Sequence, residues 1–146
     1  MIHVTNIRTV DTALYDETWA IVRSLKTPSA RYRQVPELSP SIELFSLYRE
    51  MVKQLQWGPD AFKDIYVPRF LKEIQDSEEA HVALNKLVIE DRAGRNIALV
   101  CFCTSERLCH RSIIAGLLQG VGCNVQTDTG ADYSRYYKMY KQIQPE

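Results

Sequence analysis

The 146-residue chain carries no net charge, because eighteen lysines and arginines offset eighteen aspartates and glutamates. A sequence-wide basic footprint for duplex nucleic acid or an anionic membrane is therefore missing, which leaves only a local basic patch open. No apolar run comes near the roughly 20 residues a membrane-spanning helix requires. Met1-Ile2-His3-Val4 lacks the basic head and apolar stretch of a signal peptide, so a soluble, cytoplasmic protein is expected. Glycine and proline are scarce, at six each, which sets aside fibrous and low-complexity chains. What is present, 45% hydrophobic and 25% charged residues, is the composition of a globular protein. The length suits one domain over residues 1–146, able to bury roughly 68–70% of its unfolded surface. Four cysteines, Cys101, Cys103, Cys109 and Cys123, crowd one region rather than spreading as a disulfide framework.

Ile2-His3-Val4 and Thr18 to Val22 read as β-strands. A long Ser/Pro-rich segment follows, and long loops inside compact domains tend to be functional. Ser39-Pro40 reads as a helix start, with Leu44, Leu47, Tyr48, Met51 and Leu55 at helical spacing up to about Trp57-Gly58. Pro59 opens a second helix, which Pro68 is expected to kink or interrupt. A third runs from about Ser77 to Asp91, with Gly94 as its terminator. Asn96 to Phe102 is almost continuously apolar, the pattern of a strand covered on both faces. A small-residue helix over Ser112–Leu118, a last strand at Asn124–Thr127 and a tyrosine stripe complete the pass. The expected fold is a single three-layer α/β domain with a small, mostly parallel central sheet flanked by helices.

In such sheets ligands collect beyond the carboxyl ends of the strands, where a helix N-terminus supplies unpaired N–H groups and a partial positive charge. The stretch VCFCTSERLCHRS has that strand-loop-helix layout. Its candidate ligand-binding residues are Thr104, Ser105, Arg107, Cys109, His110, Arg111 and Ser112. Arginines beside a helix start suit phosphate or carboxylate oxygens, so an anion is expected. Arg23, Lys26, Arg31 and Arg33 fall within eleven residues that contain no acid. In a parallel sheet this basic loop leaves the same edge and forms a second wall, with aromatics to stack on a base; the alternative is a solvated basic loop. Arg8, just after the first strand, is a further candidate for that edge.

Three chemistries fit the cysteines. Thiolate catalysis would use Cys101 or Cys109 as nucleophile and His110 as acid or base. Cys101 and Arg107 even satisfy a C-x5-R spacing, although Arg111 stands better placed at the helix start. Zinc has four nominal ligands in Cys101, Cys103, Cys109 and His110, but C-x-C and adjacent Cys-His are unfavoured pair spacings. A strand would also turn Cys101 and Cys103 to one face. No metal or other cofactor is expected on these grounds. The leading reading is structural, with Cys101 and Cys123 as small core residues and Cys109 packed under the loop. His81 reads as a satisfied helical histidine, and His3 has no visible partner. Tyr133, Tyr136, Tyr137 and Tyr140 read as core or oligomer surface before pocket wall.

Several segments together resemble the domain of unknown function 488 family, small intracellular proteins of bacteria, archaea and phages. They are VRSLKTPS, LSPSIELFSLY, Trp57 with Phe62 and Tyr66, and above all ALVCFCTSERLCHRSIIAGLL. The resemblance implies an α/β domain with signature positions Cys101, Cys109, His110 and Arg111, and with Ser39, Pro40 and Ser41 marking the first long helix. Cys103 departs from the pattern, since relatives tend to carry an acid near there. Related branches lack the cysteines yet keep the framework, which favours a shared pocket over thiol catalysis. The function expected is a homo-oligomeric binding protein for an anionic, nucleotide-like small molecule, such as an ADP-ribose-type or cyclic nucleotide signal. A phage-borne copy could use such binding to sequester a host signal. The alternatives are a cysteine-dependent enzyme on a nucleotide or phosphorylated small molecule, and a protein-interaction module.

Overall fold

A computed structural model describes residues 1–25 and 29–143. Five strands, β1 (Ile2–Asn6), β2 (Glu17–Ala20), β3 (Arg33–Gln34), β4 (Ile97–Cys101) and β5 (Val125–Thr127), form one sheet in the order β3-β2-β4-β1-β5. Every pairing is parallel. The apolar run Ile97-Ala98-Leu99-Val100-Cys101 occupies the centre, and all five residues are buried. Successive strand residues point to opposite faces, so helices must cover both, and the domain is a three-layer α/β sandwich. β1 pairs Asn6 with Cys101 while β2 pairs Ala20 with Val100. The carboxyl ends of the three central strands therefore meet at one edge.

The helices are α1 (Ile42–Lys53), a single turn α2 (Pro59–Ala61), α3 (Val67–Asp76), α4 (Glu78–Arg92), α5 (His110–Gly120) and α6 (Arg135–Lys141). α1 starts two residues later than Ser39-Pro40 indicates: Ser41 is the cap, its Oγ accepting from the Leu44 N–H. Ser77 caps α4 in the same way, and Gly94, at φ +79°, ends it in the left-handed conformation that costs glycine least. Leu55, expected on the apolar face of α1, lies beyond the helix at φ +59° and almost wholly exposed. Pro68 makes no break. It falls in the first turn of α3, where a missing N–H is harmless, behind a π-helical turn over Phe62–Tyr66 that widens the ladder to a Val67 N–H···O=C Phe62 bond. β3 and a 3-10 turn at Pro36–Leu38 lie inside the segment read as a loop.

α5 is buried from His110 to Leu118 and packs on β1, β4 and β5. Gly116 lets the next layer come close, since a Cβ there would lie 2.1 Å from the Tyr133 carbonyl oxygen. Tyr133 and Tyr136 are buried, stacked with centroids 6.2 Å apart, while Tyr137 and Tyr140 are half-buried against the core. Among the described residues no helix is long and apolar enough to cross a membrane.

Candidate functional site

Beyond the carboxyl ends of β2 and β4 the chain leaves a cleft of about 640 Å³. Val22, Arg23, Ser39 and Pro40 form one side, Phe102, Thr104, Ser105 and Leu108 the other, and Cys101, Cys103 and His110 the floor. The far wall is aromatic. Phe45 and Tyr48 come from α1, Trp57 from the connection after it, and Tyr66 from the π-helical turn. Tyr48 and Trp57 meet edge to face at 4.7 Å, and Trp57 meets Tyr66 at 5.7 Å, so each ring fixes the next. The series continues inward through Phe70 to the His110 ring, 5.8 Å away. Arg23 stands exposed at the rim, its Nη2 donating to the Pro40 carbonyl at 2.9 Å.

Under the floor lies a sulfur cluster. Cys101 Sγ and Cys109 Sγ are 3.1 Å apart, and Cys109 Sγ is 3.6 Å from His110 Nδ1. His110 Nε2 donates to the Ile21 carbonyl at 2.7 Å. A carbonyl can only accept, so Nε2 carries a proton, and Nδ1 faces the sulfurs. Arg111, 2% exposed, points Nη1 at Cys101 Sγ (3.6 Å) and at the Cys103 carbonyl (3.0 Å), which Asn6 Nδ2 also holds at 2.8 Å. Among the described residues no carboxylate forms an ion pair with Arg111, and its buried Nε has no hydrogen-bond partner. Hydrogen bonds from the Cys103 and Cys109 thiols, with the nearby His110 and Arg111, hold the Cys101 thiol well below its ordinary range. The partners move oppositely. Cys103 is pushed up to about 12, chiefly by giving its hydrogen to Cys101, and burial pushes Cys109 well up.

A family model described as the active DUF488-N3 subclade matches residues 2–122. The chain belongs to the DUF488 family. In this DUF488 domain the match spans β1 to the end of α5, hence every residue of the cleft and of the cluster, and leaves β5 and α6 outside. No curated protein and no solved structure matches the chain.

The sequence-predicted site residues divide among three places in this DUF488 domain. Arg23, Thr104, Ser105, Cys101 and His110 line the cleft. Cys109, Arg111 and Ser112 lie beneath it, all but sealed from solvent, with the Ser112 N–H bonded to the Cys109 carbonyl and its Oγ donating to the same oxygen. Arg8, Arg31, Arg33 and Arg107 are exposed and outside the lining. Arg33 belongs to β3, where it covers the Trp19 ring and pairs with Glu17 at 3.5 Å. Lys26 lies outside the described residues. Pair spacing argues against a metal, yet β4 ends at Cys101, so strand alternation no longer governs Cys103 and the donor atoms of Cys101, Cys103, Cys109 and His110 gather within 4.8 Å of one another.

Two parts of the site escape sequence reading. The aromatic wall reads as helix core, although Phe45 and Tyr48, three apart, both stay partly open to solvent. Glu106 is a buried carboxylate bolting the cleft loop to the chain after β5. It accepts from the Asp128 N–H at 2.9 Å, from the Tyr133 hydroxyl at 2.6 Å and from the Thr129 hydroxyl. A lone acid beside Arg107 in an otherwise uncharged loop was its one visible signal. His3, too, has partners after all: Asp128 Oδ1 at 2.9 Å and the Tyr15 hydroxyl.

Proposed function

We propose that the protein binds an anionic, nucleotide-like small molecule in the cleft, its ring against the aromatic wall and its charge towards Arg23. One observation carries the reading: the four rings of the aromatic wall, Phe102 opposite and one arginine converge on an open cleft of about 640 Å³ at the carboxyl edge of a parallel sheet. A planar heterocycle gains stacking there, and the rim offers Thr104, Ser105 and Arg23 as donors for an anionic group. Arg111 then supports the floor instead of touching the ligand, because it is buried and bonded to Cys101 and the Cys103 carbonyl.

Thermal unfolding against a panel of mononucleotides, cyclic dinucleotides and ADP-ribose tests the reading. A ligand at 100 times its Kd stabilises by about 2.7 kcal/mol, which for a chain of this size raises Tm by roughly 5–11 °C. The rise should shrink in Trp57→Ala and in Arg23→Ala. A panel that leaves Tm unmoved overturns the proposal and favours a protein-interaction module.

A second reading, an enzyme of the same cleft, is favoured by Cys101, Cys103 and His110 in its floor. Mass spectrometry of the ligand before and after incubation separates the two. Intact ligand, with binding retained in Cys101→Ser and Cys109→Ser, supports binding alone; turnover lost in either variant supports catalysis.

A further inference from the structure

We infer that Cys101, Cys103, Cys109 and His110 form a zinc site that ties the end of β4 to the start of α5 under the cleft floor. Three sulfurs and one imidazole nitrogen are the donor set of a Cys3His structural zinc centre, and their atoms already lie within 4.8 Å of one another. In a tetrahedral site with zinc–sulfur bonds of about 2.3 Å, neighbouring sulfurs stand ~3.8 Å apart. Cys101 and Cys109, now at 3.1 Å, need only part by less than about 1 Å to admit the ion.

The surroundings are those of a prepared site. His110 presents Nδ1 because its Nε2 proton is committed to the Ile21 carbonyl, the outer-shell bond that zinc-binding histidines habitually make. The Cys103 carbonyl is clamped by Asn6 and Arg111, which fixes the turn that brings its sulfur round. Charge is consistent with the ion. Arg111 is buried with no carboxylate paired to it among the described residues, and a buried cation needs a counter-charge. One Zn²⁺ with three thiolates and a neutral imidazole has a net charge of −1, which Arg111 balances while its Nη1 points at Cys101 Sγ. On loading, three zinc–sulfur bonds and one zinc–nitrogen bond form. The thiol protons leave to solvent together with the water that zinc sheds, and no electron is transferred. With four protein ligands the ion is closed to substrate, so its role is to hold the floor in shape.

Metal analysis of protein purified without chelators should find one zinc per chain. Reduced apoprotein given one equivalent of Co²⁺ should develop a sulfur-to-cobalt charge-transfer band and the intense visible bands of a tetrahedral ion. The Cys123→Ser variant, altered outside the cluster, should keep both, and Cys109→Ser should lose them. Arg111→Met leaves all four ligands and should weaken zinc binding 10- to 100-fold, the range typical of outer-shell losses. The inference is overturned if folded, reduced wild-type protein shows no thiolate charge-transfer band with Co²⁺, a test that needs no variant to fold. It is equally overturned if Cys123→Ser loses the band as Cys109→Ser does. Nucleotide binding enters neither readout, so failure here leaves the cleft proposal standing.

Discussion

Replacing Glu106 separates the loss of a charge from the loss of a fastening. In Glu106→Ala the Asp128 N–H and the Thr129 and Tyr133 hydroxyls lose their shared acceptor. The amide cannot reverse its role, and Tyr133 is too deeply buried to turn to water. Stranding the buried Tyr133 hydroxyl costs roughly 1–3 kcal/mol, and the exposed Asp128 and Thr129, which can turn to water, add about 0.5 kcal/mol each, so the expected loss is about 3 kcal/mol, a large part of the ~5–15 kcal/mol that keeps such a domain folded. Glu106→Gln behaves differently. Its amide oxygen can still accept from Asp128, while its NH2 faces two hydroxyls that can rotate to accept. Only the charge assistance is lost, about 1 kcal/mol. Urea unfolding of the three proteins gives the ranking directly, and thermal melts should drop by roughly 10 °C for alanine and a few degrees for glutamine. An alanine variant within about 1 kcal/mol of the parent, or one no weaker than glutamine, would refute the reasoning.

Gly116→Ala should destabilise by about 1–3 kcal/mol despite alanine's better helix propensity, because the new methyl meets the Tyr133 carbonyl at 2.1 Å and backbone must yield; equal or greater stability in urea would show that the two layers can part freely. Burial and the Glu106 hydrogen bond push the Tyr133 phenol up to about 12 from 10. The folded state therefore holds that proton more tightly than the unfolded chain. Its stabilisation is complete below pH 10 and is lost as pH rises from 10 towards 12. Tyr133→Phe should flatten that decline in urea titrations between pH 9 and 11, and an unchanged slope would count against the assignment.

Elements that depend on their own residues were legible in the sequence. β4 announces itself by five apolar residues that no half-exposed strand would carry, and α4 by Ser77 at its head and Gly94 past its tail. Where the deciding contact lies far along the chain, local reading slipped. Ser39 and Ser41 are equally good caps on paper, and the choice falls to Glu73, whose carboxylate accepts from the Ser41 N–H at 2.9 Å and from its hydroxyl. β3 is two residues long and owes its existence to its neighbour β2. The strand-loop-helix around the cysteines was recognisable by its order, but which arginine faces the cleft depends on side-chain direction. Arg111 turned to the sulfurs while Arg23 stayed at the rim. His3 and Asp128, 125 residues apart, could not have been matched by spacing.

The strand order also dictates when this protein can assemble. Among the described residues β1 pairs only with β4 and β5, and β2 joins β1 through β4, so the centre of the sheet is supplied by residues 97 to 101. While a ribosome is still making the first 96 residues, the nascent chain can form helices, the brief β2–β3 pair and the packing of α3 on α4, but lacks the strand that joins β2 to β1. Completion of the sheet must wait until the strand carrying Cys101 has emerged and wedged itself between two partners made long before. A chain stopped short of that point would leave both edges of β1 and the inner edge of β2 exposed to aggregation.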